Sequence, residues 1–189
     1  MVATAADSQL IPPTTRSAAV TPAPLPSGLL ADIATGIAQV PEAWRSLVRH
    51  DPSQRHPVRL IATDAYEVWV IGWTQGQHVR PHDHDGSAAM VLVTEGELTE
   101  VDLLGSQRQL VPGQLHHVAP GVVHDVVNRA EEPAVSIHLY SPPLTRMTYY
   151  NPETWEPEET VPIEPEIPVL SGPDGSQLLH PTRRGRLYR

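Results

Sequence analysis

A long series of short apolar segments with a two-residue period most constrains the fold of this chain. Between Pro57 and Tyr140 the segments are rich in Val, Leu, Ile and Trp. Turn-forming residues such as Gly, Asp, Asn and Pro separate them, which is typical of β-strands joined by tight turns. The segments that we predict as strands are 58–62, 66–73, 88–94, 98–104, 115–119, 123–127 and 134–140. Many short strands at regular spacing predict a mainly β sandwich or barrel.

Two short helices are predicted before the strands. Ser27 is placed to cap the first helix, and Pro41 is placed to begin the second. Apolar residues recur at helical spacing in both segments. They are Leu29, Leu30, Ile33, Ile37 and Val40 in the first helix and Trp44, Leu47 and Val48 in the second.

The two ends of the chain lack these patterns. Residues 1–26 are rich in Ala, Thr, Ser and Pro, which predicts a flexible leader. Residues 151–189 begin with alternating Pro and Glu and end in a basic segment, so we predict an extended tail that wraps the domain or is partly disordered. The region between them, 27–150, is predicted to be one domain, as suits a chain of 189 residues.

Charge and cysteine content argue against several classes of function. The formal net charge of -9 argues against a nucleic-acid partner, because phosphate binding requires a basic surface. No apolar run approaches the roughly 18 residues of a membrane helix, and the N-terminal segment does not resemble a signal peptide. The absence of cysteine excludes disulfides, thiolate ligands and a cysteine nucleophile. We therefore expect a cytoplasmic protein without a membrane partner.

Three histidines are candidate metal ligands. His82 and His84 are two residues apart in a strand context, so their side chains point the same way and can share a metal ion. His124 follows about 40 residues later. Taken separately, a His-x-His pair is more often a polar surface pair, and a histidine among valines is more often a core residue.

Together these histidines resemble the two sequence motifs of the cupin family. The first motif places a Gly, a His-x-His pair and a second Gly at fixed intervals, matched here by Gly76, His82, His84 and Gly96. The second motif, Gly-x-x-His-x-x-x-Asn, is matched by Gly121, His124 and Asn128. The resemblance implies a mainly β cupin jelly-roll barrel that holds a metal ion with the three histidines.

Ala89 is the informative departure from the first motif. It stands where the motif has a glutamate, so the usual carboxylate ligand is missing. Three neutral imidazoles leave the metal ion with its full positive charge and open coordination positions. Such a centre favours an anionic ligand that arrives with the substrate, and a thiolate meets this requirement.

The segment 134–140 adds a polar face to the predicted barrel. Ser136, His138 and Tyr140 alternate with aliphatic residues, so these three side chains share one face of a strand. For an arbitrary strand, a polar face that meets water is the simpler interpretation. Here the strand belongs to a barrel that already carries candidate metal ligands.

The combined motifs resemble the cysteine dioxygenase family of cupins. The segments that carry the resemblance are 66–73, 82–87 and 136–143, within a matching region of roughly 27–150. The resemblance implies iron(II) bound by the three histidines. It further implies that Tyr140 donates a hydrogen bond in the pocket, that His138 orients the Tyr140 hydroxyl with Ser136 behind it, and that Arg59 binds the substrate carboxylate.

The absence of cysteine also bears on this resemblance. Animal enzymes of the family carry a cysteine that cross-links to the pocket tyrosine, and it would fall at Ala89. Tyr140 is therefore expected to be unmodified, which resembles the bacterial branch of the family. The expected protein is a monomer that binds L-cysteine and dioxygen and forms cysteine sulfinic acid.

Other functions remain open at this point. The substrate is alternatively another small thiol such as 3-mercaptopropionate, although enzymes for that thiol are known for Gln at the position of Arg59. Two hypotheses from other functional classes are a zinc or nickel isomerase and a non-catalytic metal-binding sensor. We do not expect the remaining histidines to be ligands; they are His50, His56, His78, His116, His117 and His180.

Overall fold

A computed structural model describes residues 22–163 of the chain. Within them, helix α1 (Ser27–Ala38) comes first, and two 3-10 turns follow at Pro41–Ala43 and Arg45–Leu47. The strands are β1 (Val58–Ala62), β2 (Glu67–Trp73), β3 (His78–Asp83), β4 (Ala88–Glu95), β5 (Leu98–Asp102), β6 (Gln107–Leu110), β7 (Leu115–Val118), β8 (His124–Val127), β9 (Ala134–Ser141), β10 (Arg146–Tyr150) and β11 (Pro157–Pro162).

The strands form two antiparallel sheets. Sheet A has the order β1-β2-β9-β4-β7, and sheet B has the order β11-β10-β3-β8-β5-β6. Strands that are distant in sequence are neighbours in both sheets, as in a jelly roll. The predicted mainly β cupin architecture is therefore confirmed, and its two sheets enclose one apolar interior that includes Trp69, Trp73, Val91, Leu98 and Val126.

Helix α1 packs on β4 and β9, against the outer face of sheet A. Leu30 and Ala34 are fully buried there, in one cluster with Ile137 and Leu139 of β9. The helix ends before Pro41, which is expected because proline disfavours the helical conformation of the residue before it. The central strands of sheet A, β9 and β4, are consequently covered on both faces. None of the helices in residues 22–163 is long and apolar enough to cross a membrane.

The N-terminal predictions need three corrections. Ser27 is the first residue of α1 and makes no capping hydrogen bond, since Pro26 occupies the cap position. Two 3-10 turns replace the predicted second helix. Trp44 is buried as expected, whereas Leu29 and Leu47 are more than two fifths exposed, because these short elements bury only part of their apolar residues.

The sheets extend beyond the predicted domain limit at residue 150. Strand β11 pairs antiparallel with β10, and the Ile163 backbone N–H donates to the Thr145 carbonyl at 2.8 Å. Part of the predicted tail thus forms the edge of sheet B. The predicted leader and tail otherwise fall at 1–21 and 164–189, outside the described residues.

The structure explains why the motif position at Gly96 is a glycine. It lies in the turn between β4 and β5 with a φ of +66°, a conformation that L side chains rarely adopt. A Cβ atom at this position would collide with the carbonyl oxygen of Pro133. The glycine therefore fixes the turn that brings β5 into sheet B.

Candidate metal centre

Sheet B brings the three predicted ligands together. His82 lies near the end of β3, His84 follows that strand directly, and His124 begins β8. His82 and His124 are directly opposite each other in the register of β3 and β8. All three are at most 3% exposed, and their candidate ligand atoms lie within 4.8 Å of one another. We call this group the three-histidine cluster.

The hydrogen bonds of the cluster leave nitrogen atoms available for a metal ion. His82 Nδ1 lies 2.9 Å from the Arg80 carbonyl and therefore carries a proton, which leaves Nε2 as its lone-pair donor. His124 Nε2 and His84 Nδ1 are buried without a hydrogen-bond partner among the described residues. A buried polar atom without a partner is costly, so a divalent metal ion fits this donor set.

The protonation state of the cluster also suits a metal. Burial, followed by the charge of His124, lowers the pKa of His82 and of His84 well below the ordinary histidine value. Both imidazoles are therefore neutral at physiological pH. Neutral imidazole is the form that coordinates metal ions.

Glu100 is a carboxylate that the motifs do not predict. Its Oε1 atom accepts hydrogen bonds from His124 Nδ1 and His116 Nε2, each at 2.7 Å. Burial raises the pKa of Glu100, but the hydrogen bonds from His116 and His124 outweigh burial and lower it to about 2. The sequence contained a signal for this placement. Leu98 and Glu100 are two residues apart and therefore share a face of β5, and Leu98 points into the barrel.

A cavity adjoins the three-histidine cluster. Both sheets line it, mostly with apolar side chains such as Trp69, Ile71, Val79, Val126, Leu144, Met147 and Ile163. Its polar wall comes from Arg55, His138 and Tyr140. The predicted polar face of β9 thus contributes His138 and Tyr140 to the cavity that the candidate metal ligands line. His138 and Tyr140 are less than a tenth exposed, and Ser136 is fully buried.

Ser136, His138 and Tyr140 form a hydrogen-bonded trio. The indole N–H of Trp73 donates to Ser136 Oγ at 2.8 Å, and Ser136 Oγ lies 2.8 Å from His138 Nε2, so we assign the Ser136 hydroxyl as the donor to that nitrogen. In this assignment His138 Nδ1 carries the proton and donates to the Tyr140 hydroxyl oxygen, which lies 3.3 Å away. Burial, followed by the charges of His124 and Arg55, lowers the pKa of His138 to about 3, so the ring is neutral.

Two arginines lie near this cavity. Arg59 is opposite Trp69 in the register of β1 and β2, and its Nη1 atom is 3.4 Å from Glu67 Oε2. The Arg59 guanidinium carbon lies 5.6 Å from the centroid of the Trp69 ring, which itself lines the cavity. Arg55 lines the cavity directly and lies 4.7 Å from the centroid of the Trp73 ring. The motifs did not indicate Arg55.

The other described histidines do not join the three-histidine cluster. His116 contacts Glu100, His56 contacts Asp51, and His50 contacts a backbone carbonyl. His78 and His117 are exposed, and His180 lies outside the described residues. Ala89, at the position of the missing glutamate, is fully buried directly opposite Tyr140 in the register of β4 and β9.

Comparisons with known proteins identify a matching family. The model of the family described as "Cysteine dioxygenase type I" matches residues 27–153. A cysteine dioxygenase type 1 from Danio rerio is 25% identical over 130 residues, which cover 60% of this chain and 64% of that protein. The chain therefore matches less than two thirds of the length of this relative.

Solved structures with a similar fold come from several bacteria. A Klebsiella pneumoniae protein with a double-stranded β-helix domain is 23% identical, with a TM-score of 0.49, and the match covers 52% of this chain and 85% of that one. The protein TT1209 from Thermus thermophilus is 23% identical, with a TM-score of 0.48, over 52% of this chain and 93% of that one.

Proposed function

This chain belongs to the cysteine dioxygenase type I family, and from that premise we propose that it is an iron(II)-dependent dioxygenase that oxidises L-cysteine to cysteine sulfinic acid. The observation that carries the proposal is a buried three-histidine cluster with no carboxylate at the motif position, Ala89, beside His138 and Tyr140 in the same cavity. A neutral donor set of this kind suits a thiolate substrate.

The three-histidine cluster would hold the metal ion, and the rest of the cavity would bind the substrate. When bound, iron(II) supplies the redox chemistry and the positive charge that a thiolate and dioxygen require. The protein contributes position and a dry environment. The apolar walls, which include Trp69, Met147 and Ile163, exclude water from the region in front of the histidines.

Tyr140 is proposed to donate a hydrogen bond to the reacting groups. In the tautomer assigned above, His138 donates to the Tyr140 oxygen, and the hydroxyl proton of Tyr140 is then directed away from His138. Ser136 and Trp73 hold His138 in the tautomer that this requires. His138 and Ser136 therefore act as positioning residues for Tyr140. Without cysteine in the sequence, Tyr140 acts as an unmodified phenol.

Arg59 is proposed to bind the substrate carboxylate. A guanidinium group pairs with a carboxylate through two parallel hydrogen bonds, and the Arg59 side chain is only 8% exposed. Glu67 fixes this side chain from one side. Arg55 is a second candidate, because it lines the cavity and its charge acts on His82 and His138.

Matched Arg59→Lys and Arg55→Lys variants test this assignment. We expect Arg59→Lys to raise KM for cysteine by about tenfold or more with a smaller change in kcat, since a bidentate contact to bound substrate is lost. Arg55→Lys is expected to have the smaller effect on KM. The reverse order would assign the carboxylate to Arg55.

The experiment that tests the function is oxygen consumption by protein that has been loaded anaerobically with iron(II). Consumption should require both iron and L-cysteine, and mass spectrometry should identify cysteine sulfinic acid as the product. Consumption without iron would refute the metal-dependent mechanism. Much faster turnover of 3-mercaptopropionate than of cysteine would refute the substrate and leave the metal assignment intact.

The same preparation tests the predicted assembly. We propose that the protein acts as a monomer in the cytoplasm, so its mass in solution should be close to the chain mass of 20.7 kDa. Light scattering of the iron-loaded protein measures this mass. A value near twice the chain mass would refute the monomer.

A further inference from the structure

Glu100 lies in direct contact with one metal-binding histidine. It faces Val126 across β5 and β8, and His124 is two residues from Val126 on the same face of β8. Diagonal neighbours of this kind are within reach of long side chains. The distance of 2.7 Å between Glu100 Oε1 and His124 Nδ1 is that of a charge-assisted hydrogen bond.

This contact determines which His124 nitrogen faces the cavity. An ionised carboxylate only accepts hydrogen bonds, so His124 Nδ1 carries the proton and Nε2 carries the lone pair. His124 Nε2 is the buried atom that lacks a hydrogen-bond partner in the described part of the chain. Glu100 therefore fixes both the tautomer and the ring rotation that present Nε2 to a metal ion.

The three histidines are supported in three different ways. His82 Nδ1 donates to a neutral carbonyl oxygen, and His84 Nδ1 is without a hydrogen-bond partner within residues 22–163. Only His124, among these three, contacts a carboxylate. Because a carboxylate attracts the Nδ1 proton more strongly than a carbonyl does, His124 is the most electron-rich donor of the cluster.

Glu100 is itself held by a chain of polar contacts that leads to the surface. Arg108 is always protonated and lies 2.7 Å from His116 Nδ1, so His116 accepts there and donates from Nε2 to Glu100. Arg108 Nη1 also lies 3.9 Å from Glu100 Oε2. Since His116 is on β7 of sheet A and Glu100 is on β5 of sheet B, these contacts join the two sheets beside His124.

We propose that Glu100 is a positioning residue of the metal centre, which orients His124 and returns one negative charge to a site whose motif carboxylate is replaced by Ala89. His116 holds Glu100 in this role. The assignment rests on the proposed metal-dependent function. It goes further in naming the residue that adjusts the affinity and the redox properties of the bound metal.

The test compares the full-length wild type with Glu100→Gln and with Glu97→Gln. The control also removes one negative charge, but from Glu97, which is exposed and directly precedes β5. Iron(II) affinity is measured anaerobically by competition with a chelator, in the absence of any thiol. Glu100→Gln should weaken iron(II) binding by about 10- to 100-fold. Glu97→Gln should bind iron(II) as the wild type does.

A second readout separates positioning from a purely structural role. Loss of the negative charge disfavours iron(III) more than iron(II), so the reduction potential of the bound iron should rise in Glu100→Gln and stay unchanged in Glu97→Gln. His116→Gln, which keeps the carboxylate, should weaken iron binding less than Glu100→Gln does. The metal-free stability of each variant is measured by urea denaturation.

The possible outcomes are distinct. Wild-type iron affinity and potential in a destabilised Glu100→Gln would overturn the proposal, since the residue would then be structural only. A larger loss in His116→Gln than in Glu100→Gln would also overturn it. If the expected iron-binding differences appear but cysteine is not oxidised, the positioning role stands and the proposed dioxygenase function fails.

Discussion

The two sheets of the barrel contribute different parts of the candidate site. Sheet B carries His82 and His124 on neighbouring strands, with His84 directly after one of them. Sheet A carries the trio of Ser136, His138 and Tyr140 on its central strand, β9. The candidate metal ligands and the candidate substrate-facing hydrogen-bond donor therefore approach the cavity from opposite walls.

The two sheets also differ in burial. Every residue of β2 and β9 in sheet A is buried, because α1 covers the outer face. In sheet B, β6 and β11 are mostly exposed, and residues of β8 alternate between buried and half-buried. The comparison indicates that the placement of the candidate metal ligands depends on local register in sheet B, whereas the hydrogen-bonded trio depends on the dry interior that sheet A provides.

Removal of one metal ligand should have the largest effect. His84→Ala should abolish iron retention, because two imidazoles that remain on β3 and β8 provide too few ligands for a stable site. Inductively coupled plasma analysis of the purified, iron-loaded protein measures the retained metal. His78→Ala, an exposed position on β3, serves as the control and should retain iron normally.

Substitution of His138 in sheet A should distinguish the role of that sheet from the role of sheet B. His138→Gln should retain iron while it lowers the turnover of cysteine, since the trio contacts no ligand atom of the metal cluster in the hydrogen bonds described above. Iron loss in His138→Gln, or normal turnover in His84→Ala, would contradict the division of roles between the sheets.

Truncation of a buried side chain on the face of sheet A that α1 covers should lower the free energy of unfolding more than any other substitution considered for stability. Ile137 is fully buried between β9 and α1, so Ile137→Ala should lower the free energy of unfolding by about 2–5 kcal/mol. Val127→Ala on β8 of sheet B, where the side chain is half-buried, should cost about 1 kcal/mol or less. Urea denaturation of the metal-free proteins gives both values. Equal losses would mean that the two sheets are equally well packed.

The buried histidine of sheet A should make stability depend on pH. The pKa of His138 is about 3 in the folded protein, against an ordinary value of 6.5. Above pH 6.5 the ring is neutral in both states; below it, only the unfolded chain binds the proton. The free energy of unfolding should therefore fall as the pH decreases from 6.5 towards 3, by up to about 1.4 kcal/mol per pH unit for this group.

His138→Gln tests this dependence. With chelator present in both samples, the contributions of the three candidate metal ligands are common to the two proteins. The unfolding free energy of His138→Gln, measured in urea at pH 7, 6 and 5, should decrease less steeply than that of the wild type. Parallel pH profiles would contradict a depressed pKa at His138.

The exposed edge of sheet B should have the smallest effect. Arg80 of β3 contacts Glu158 at 2.8 Å and Glu159 at 3.1 Å on β11, and all three side chains are at least one third exposed. Solvent weakens such ion pairs, so Glu158→Gln should change the free energy of unfolding by about 0.2–1 kcal/mol, and less at high salt. A loss above 2 kcal/mol in urea denaturation would show that this edge is as important as the covered sheet.

The regular strands were predictable and the irregular ones were not. Each of the seven predicted strands overlaps an observed one, and the limits of β1 agree at both ends. The sequence gives no comparable signal for β6, in which three of the four residues are polar, or for β11, which begins and ends with proline. These strands depend on pairing with a neighbour rather than on their own apolar pattern.

The candidate site also contains residues whose role was predictable from the sequence and residues whose role was not. His82 and His84 were identified because two-residue spacing on a strand is visible in the sequence. The sequence named His116 only as a histidine that is not a ligand, and it did not predict the contacts of Glu100 with His124 and His116, since these contacts join residues 24 and 16 positions apart through strand register. A motif records spacing along the chain, whereas these contacts depend on which strands become neighbours in space.

Strand β11 has a practical consequence for where this chain can be shortened. The family match ends at residue 153, yet Ile163, ten residues later, is 7% exposed and forms part of the cavity wall. A fragment that stops at the family boundary would retain every candidate ligand but uncover apolar side chains such as Met147 and Leu144. Exposed apolar surface of this kind promotes aggregation. A minimal fragment should therefore include Ile163.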